Sequence, residues 1–353
     1  MSNILDGYFG LIRKLIPDQQ KKVYSVGLDI GPAECKLVQL AKHADKIELV
    51  NWAIEPVIDG RLADTIQKII TSLDAVSKSV YTAISGKGTL IRFIEMPVMS
   101  IEDLRNSFAL EADKYFPFAQ EDIYTDCFIL DPNPKGKMMN VMAASAKKEL
   151  IDQRVKLLSE LGYHVDFIGL NPIAQINIIN MLDITEDDVS KDKAIAILDM
   201  GESVSNLTIV INKMPWFIRD IFIGGQDFTK RISNALGVAL KEAEEIKKNP
   251  GAKKQAVSNA CELATMNIIR ELRLSFDYFS TEKDIPIDKL FLTGGGSMLQ
   301  GVAETLEKNL GIEISCWNPL SSLSLPEDMP QEDINKKFLK LGVAIGLALY
   351  EYD

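Results

Sequence analysis

The sequence predicts a two-lobed α/β protein in which one β-β-β-α unit occurs twice and a smaller subdomain is inserted into the first copy. Three observations carry that prediction. Val26-Gly27-Leu28-Asp29-Ile30-Gly31 and Ala196-Ile197-Leu198-Asp199-Met200-Gly201 are apolar runs that both end in Asp-x-Gly, 170 positions apart in a chain of 353 residues. Each is followed by a polar step and a second apolar run, the pattern of a hairpin opening. Thr293-Gly294-Gly295-Gly296-Ser297 follows the apolar strand Leu290-Phe291-Leu292 and precedes a helical pattern. A chain of this length can bury two cores without cross-links.

Composition narrows the class. With 46% hydrophobic and 25% charged residues the chain reads as globular. A net charge of −11 argues against nucleic-acid binding, which needs basic surface to displace counterions. A local site with a divalent cation can still take a nucleotide. Cys35, Cys127, Cys261 and Cys316 are scattered without a C-x-x-C pair, so neither a zinc site nor a disulfide framework is expected. His43 and His164 are the only histidines, a poor basis for a histidine-centred catalyst. No apolar run reaches the roughly 18 residues that span a bilayer, and no signal peptide is evident. The expected location is cytoplasmic.

The elements follow in order. Ile4, Leu5, Tyr8, Phe9, Ile12, Leu15 and Ile16 recur at helical spacing, which predicts an amphipathic helix and linker over residues 1–22, stopped by Pro17. It either docks on the protein's own surface or serves a partner or membrane surface. Residues 23–95 form the first part of lobe one. Its strands are Val23–Ile30, Cys35–Ala41, Lys46–Ala53, Ser79–Ser85 and Leu90–Glu95, with a helix at Leu62–Leu73. Residues 96–163 read as the inserted subdomain. Ser100 caps a helix over Ile101–Lys114, strands follow at Ile123–Leu130 and Asn140–Ala146, and a periodic helix spans Lys147–Leu161. Residues 164–193 return to lobe one with a strand at Val165–Gly169.

Residues 194–335 form the second lobe. Its strands are Ala194–Leu198, Asn206–Ile211, Met214–Ile221 and Lys289–Leu292, with helices at Asp227–Leu236 and Gly301–Leu310. A helical subdomain over 237–285 contains a continuous region Leu240–Glu282. Residues 336–353 carry a terminal helix, Lys336–Leu349, that returns to the first lobe.

The glycines of the two turns let backbone N–H groups approach phosphate oxygens, and an aspartate at each strand end can hold a hydrated Mg²⁺. A single Asp-x-Gly turn is a common hairpin; its symmetric repetition points to two lobes closing on one nucleotide. The glycine-rich strand-to-helix turn adds N–H donors on one side.

These motifs, in this order, resemble the actin-like ATPase superfamily, a ribonuclease H-like two-lobed fold. Glu111-Ala112-Asp113-Lys114-Tyr115-Phe116-Pro117-Phe118, Ser85-Gly86-Lys87-Gly88 and Leu292-Thr293-Gly294-Gly295-Gly296-Ser297-Met298-Leu299-Gln300-Gly301 are similar to the PilM family of type IV pilus assembly proteins, relatives of FtsA. The resemblance runs from about Val23 to Leu349. It implies that Asp29, Gly31 and Lys36 serve the first phosphate turn, and Asp199, Gly201 and Ser203 the second. Asp29 and Asp199 would hold Mg²⁺ through water. Glu244 and Lys247 would hold the ribose, although as an i,i+3 pair they also fit an exposed salt bridge. Gly294, Gly295, Gly296 and Ser297 would line the adenosine. Gly342 and Gly346 match a small-residue helix at the contact between lobes.

The first turn departs from the family pattern: Pro32, Ala33 and Glu34 stand where Ser or Thr hydroxyls meet the terminal phosphate. Binding of ATP with weak or absent hydrolysis is therefore the expectation. The implied role is a scaffold of type IV pilus assembly on the inner face of the cytoplasmic membrane. Its partner would be the cytoplasmic N-terminal tail of a PilN-like inner-membrane protein, bound between the first lobe and the insert. Other pilus motor or platform components and self-association are further partners of that role. An FtsA-like division protein, a GspL-like secretion component and a small-molecule kinase are the competing readings. Tyr115, Phe116 and Phe118 read as core.

Overall fold

A computed structural model describes residues 23–352, apart from 45, 59, 72–77, 132–135, 182–192, 327–328 and 330. The amphipathic helix expected over residues 1–22 lies outside the described residues. β1 (Val23–Ile30), β2 (Glu34–His43) and β3 (Lys46–Pro56) form an antiparallel meander. Helix α1 (Leu62–Thr71) leads into β4 (Ser79–Ile84), which lies parallel beside β1. The chain then leaves this sheet. β5 (Thr89–Pro97), α2 (Ile101–Tyr115), β6 (Ile123–Ile129) and β7 (Met138–Lys147) build a separate three-stranded sheet, ordered β5-β7-β6, with α2 on one face. Helix α3 (Lys148–Glu160) and β8 (His164–Leu170) return, and β8 closes the first sheet as β3-β2-β1-β4-β8.

After helix α4 (Asn171–Met181) the topology repeats. β9 (Ala194–Met200), β10 (Ser205–Ile211) and β11 (Met214–Ile221) form the second meander. Helices α5 (Gly225–Leu236), α6 (Leu240–Lys248) and α7 (Lys254–Lys283) follow. β12 (Ile287–Thr293), α8 (Val302–Leu310) and β13 (Glu313–Cys316) complete a sheet ordered β11-β10-β9-β12-β13. Strand directions match those of the first sheet position for position. The chain ends in α9 (Gln331–Lys337) and α10 (Gly342–Leu349).

β9 and β10 divide their side chains between two cores, the period-two pattern of a sheet covered on both faces. Ala194, Ala196 and Leu198 face α5 and α7, whereas Ile195 and Ile197 face the first lobe. That inter-lobe core joins Val38, Leu40 and Leu49 of the first sheet to Ile195, Ile197 and Val210 of the second. Ile178 and Ile179 of α4 and Ala344, Ile345 and Ala348 of α10 fill the space between them. All eight residues of α10 are buried. It fits because glycine stands at both crossings: a Cβ on Gly27 would lie 1.9 Å from the Ala344 carbonyl oxygen, and one on Gly346 would lie 1.8 Å from that of Ala174.

The structure differs from the sequence reading in several places. The terminal helix is not continuous over Lys336–Leu349. It breaks at a 3₁₀ turn, Phe338–Lys340, because the Leu339 carbonyl accepts from Gly294 N–H at 2.8 Å and Thr293 Oγ1 at 3.0 Å. Leu240–Glu282 is likewise two helices, separated at Asn249-Pro250-Gly251, where Pro250 cannot continue the hydrogen-bond ladder. Helix α4 and strand β13 are additional elements. The third sheet spans Thr89–Lys147 rather than opening at 96, since β5 pairs with β7 along its whole length. Helix α3 packs through Leu157 and Leu158 on the first lobe's core. Phe116 is 3% exposed, and Tyr115 and Phe118 pack on the same core as Phe116.

Candidate functional site

The two Asp-x-Gly segments form the same turn. The Gly31 N–H donates to the Glu34 carbonyl at 3.1 Å, and the Gly201 N–H donates to the Val204 carbonyl at 3.1 Å. Both turns open onto one cleft of about 1290 Å³ between the lobes. Asp29, Gly31, Lys36, Asp199, Gly201, Ser203, Glu244, Lys247, Gly294, Gly295 and Gly296 all line it. Ser297 does not: it is buried, and its hydroxyl donates to the Gly294 carbonyl at 2.6 Å, bracing the glycine turn from behind.

The cleft floor carries two carboxylates. Asp29 is 7% exposed and Asp199 8%. Lys36, opposite Asp29 in the β1–β2 register, donates to Asp29 Oδ2 at 2.9 Å. Burial lowers the lysine's proton affinity, but the charges of Asp29, Glu34 and Asp199 outweigh it, so Lys36 stays firmly protonated. Among the described residues no cation forms an ion pair with Asp199. Burial, reinforced by the Asp29 charge, lifts its pKa to about 6, against the opposing pull of Lys36 and the Gln175 amide. Two carboxylates sharing one ammonium leave a negative surplus that a hydrated divalent cation relieves. The donor set therefore fits Mg²⁺, which takes one or two carboxylates and keeps its waters.

The glycine turn is built against the second hairpin. Gly294 has φ +83°, and a Cβ there would lie 2.3 Å from Asp199 Oδ1 and 2.7 Å from the Met200 carbonyl oxygen. Positive φ and backbone contact together exclude any side chain. Glu244 and Lys247 are not an exposed surface pair. Lys247 Nζ lies 2.6 Å from Glu244 Oε2, 2.8 Å from Thr229 Oγ1 and 3.1 Å from the Gly225 carbonyl oxygen, with its side chain only 6% exposed. Burial raises the Glu244 pKa, but Lys247, Thr229 and Lys248 together bring it below the ordinary value. Glu202 shifts the other way: burial exceeds the help from Lys247.

Glu34, the carboxylate in place of the expected hydroxyl, is neutralised by a residue the sequence reading missed. Lys340 Nζ lies 2.8 Å from both its oxygens. Lys340 follows the carbonyl of Leu339 that is tied to the glycine turn, so this ion pair joins the two lobes across the cleft. Gln175 is the second omission. It is fully buried on α4 beside Asp199, and neither amide atom has a hydrogen-bond partner of ordinary geometry. Asn171-Pro172, with proline suited to a first helical turn, is the local signal for the helix that carries it.

Two lobes of the same strand order, each presenting an Asp-x-Gly hairpin to a shared cleft walled by a glycine turn, define an actin-like protein. Within that class the chain belongs to the type IV pilus assembly protein PilM family, whose profile it matches over residues 27–352. It is similar to the structure of a PilM–PilN type IV pilus biogenesis complex, with TM-score 0.83 and 24% identity over 94% of this chain and 99% of that one. The ethanolamine utilization protein EutJ from Carboxydothermus hydrogenoformans shares the fold more loosely, with TM-score 0.53 and 16% identity over 97% and 96% of the two chains. Among curated proteins, the cell division protein FtsA of Bacillus subtilis (strain 168) is 23% identical over 262 residues, 64% of this chain and 58% of that protein. The match thus spans little more than half of the Bacillus relative. FtsA of Enterococcus hirae is 21% identical over 83% of this chain and 78% of its own length. Among the described residues, no helix is long and apolar enough to cross a membrane.

Proposed function

We propose that the protein is a nucleotide-responsive scaffold of type IV pilus assembly that closes on ATP and Mg²⁺ and holds the short cytoplasmic tail of a PilN-like inner-membrane protein. The observation that carries this reading is the meeting of Asp29 and Asp199 in one cleft. Asp29 and Asp199 would hold the hydrated metal, which would offset the charge of the phosphates. Gly31, Lys36, Gly201 and Ser203 surround the phosphate end. Glu244 and Lys247 take the ribose, and Gly294, Gly295 and Gly296 wall the adenosine. The scaffold binds more than it turns over: the first turn lacks hydroxyls, and Glu34 is committed to Lys340. Residence at the cytoplasmic face of the membrane follows from the partner.

The tail site is the outward face of the third sheet, beside α3. β6 is an edge strand there, able to accept an extended segment through its free backbone groups. Tyr124 and Phe128 project from it, 48% and 52% exposed, and Tyr124 Oη donates to Asp152 Oδ1 of α3 at 3.2 Å. Fluorescence anisotropy with a labelled PilN-type tail peptide tests this assignment. Phe128→Asp is expected to weaken binding by about tenfold or more, as removal of a central aromatic anchor does, with no change in melting temperature. Undiminished binding places the tail elsewhere.

A further inference from the structure

Four cations that line the cleft are at least partly buried: Lys36, Arg154, Lys247 and Lys340. Three of them are committed to carboxylates, Lys36 to Asp29, Lys247 to Glu244 and Lys340 to Glu34. Arg154 is not. Among the described residues no carboxylate forms an ion pair with it; its Nη1 donates to Thr82 Oγ1 at 3.1 Å and to the Ala83 carbonyl at 2.9 Å. Among the described residues the remaining guanidinium donors have no acceptor, and the side chain lines the cleft. Thr82 is itself fixed, fully buried and donating to the Leu28 carbonyl at 2.8 Å. Arg154 is thereby held at the carboxyl ends of the parallel strands β1 and β4, linked through Thr82 to Leu28, the residue before Asp29. Open α/β sheets take ligands at such strand ends.

Burial lowers the pKa of Arg154, partly offset by the charge of Asp29, yet guanidinium keeps its proton in proteins. A desolvated cation without an ion-pair contact is costly unless an anion completes it. Guanidinium donors match a phosphate in pairs, as a point-charge lysine does not. The first turn, on the same lobe, has Pro32, Ala33 and Glu34 in place of hydroxyl donors, and Lys36 beside it is already paired with Asp29. Of the four cations, Arg154 can receive a phosphate without breaking an ion pair.

We propose that Arg154 is a phosphate ligand of the bound nucleotide, supplied by α3 in place of the hydroxyls missing from the first turn. This inference rests on the nucleotide reading of the cleft. Calorimetric titration of the full chain with Mg²⁺ and ATP, adenosine or inorganic phosphate separates the two. The wild type is expected to bind ATP more tightly than adenosine, and inorganic phosphate alone far more weakly than ATP. Arg154→Gln is expected to raise the ATP Kd by about tenfold or more, the size of a lost charge-assisted hydrogen bond, with adenosine affinity unchanged. Arg154→Lys, which keeps the charge but not the fork, is expected to fall between and serves if Arg154→Gln does not fold. An arginine that only braces β4 would lower the melting temperature and leave the ATP-to-adenosine ratio constant, which overturns the proposal. Inorganic phosphate binding as tightly as ATP overturns the nucleotide as the ligand. No nucleotide binding by the wild type overturns the reading of the cleft and this inference with it.

Discussion

Gly346→Val is expected to abolish the cooperative unfolding transition or to lower its midpoint by about 10 °C or more. The first β-carbon would already sit 1.8 Å from the Ala174 carbonyl oxygen and 2.5 Å from its carbon, both backbone atoms of α4. α10 cannot retreat, because on its other side it rests on β1, where a Cβ on Gly27 would likewise lie 1.9 Å from the Ala344 carbonyl oxygen. Overpacking of a core costs about 1–3 kcal/mol when side chains can turn away, and more when they cannot. Here two backbones meet with no rotamer to change, so the expected cost is about 4 kcal/mol or more, a large share of a stability of roughly 5–15 kcal/mol. Asn177 Nδ2, which donates to the Gly346 carbonyl at 3.1 Å, would lose its partner as the helices separate. Gly136→Ala is the control, since nothing lies within 4 Å of a Cβ there and its φ is not positive. Thermal unfolding followed by circular dichroism decides the matter. A midpoint within 2 °C of the wild type would show that α10 is not wedged between the lobes.

What the sequence revealed, and what it hid, follows from the range over which each feature is encoded. An Asp-x-Gly hairpin is written in six neighbouring residues, so both turns and the duplicated topology were legible from local pattern. The glycine turn was legible for the same reason, although the direction of Ser297 was not, because its hydroxyl bonds inside its own turn. Helix α4 left almost no periodic signal. It is apolar on both sides, placing Ala174 in one core and Ile178 and Ile179 in another, so no polar stripe marks it as a helix. The charge at Glu34 cannot be judged in isolation. A carboxylate in a phosphate turn reads as repulsive until Lys340, 306 positions away, is found holding both its oxygens. Arg154 lay in plain sight on a periodic helix, but its direction depends on Thr82, 72 positions earlier. Turn chemistry is local; the partner of a charge is set by the fold.

Asp199→Asn is expected to make the ligand-free protein more stable and the ligand-loaded protein less so. In the folded chain the Asp199 carboxyl holds its proton to about pH 6, well above the ordinary 3.8, because burial and the Asp29 charge both disfavour ionisation. The folded state thus binds this proton more tightly than the unfolded state. The group costs nothing below about pH 4, the cost grows as pH rises toward 6, and it is fully present at neutral pH. A gap of this size corresponds to at most about 3 kcal/mol. Asparagine keeps the shape and removes the charge, so at pH 7.5 the free variant should melt higher than the wild type. Its midpoint should also vary less between pH 4 and 7. Mg²⁺ needs the ionised carboxylate, however. Saturating ATP and Mg²⁺ should raise wild-type stability by about 2.7 kcal/mol at a hundred times Kd, and that gain should shrink as pH falls through about 6. In Asp199→Asn the gain should be largely absent at every pH. Differential scanning fluorimetry across pH, with and without ATP and Mg²⁺, reads both effects in one series. An equal ligand-induced shift in variant and wild type would remove Asp199 from the site, while a less stable free variant would refute the electrostatic account. The opposition of the two effects follows from one fact, a buried carboxylate kept beside another where folding alone would discard it.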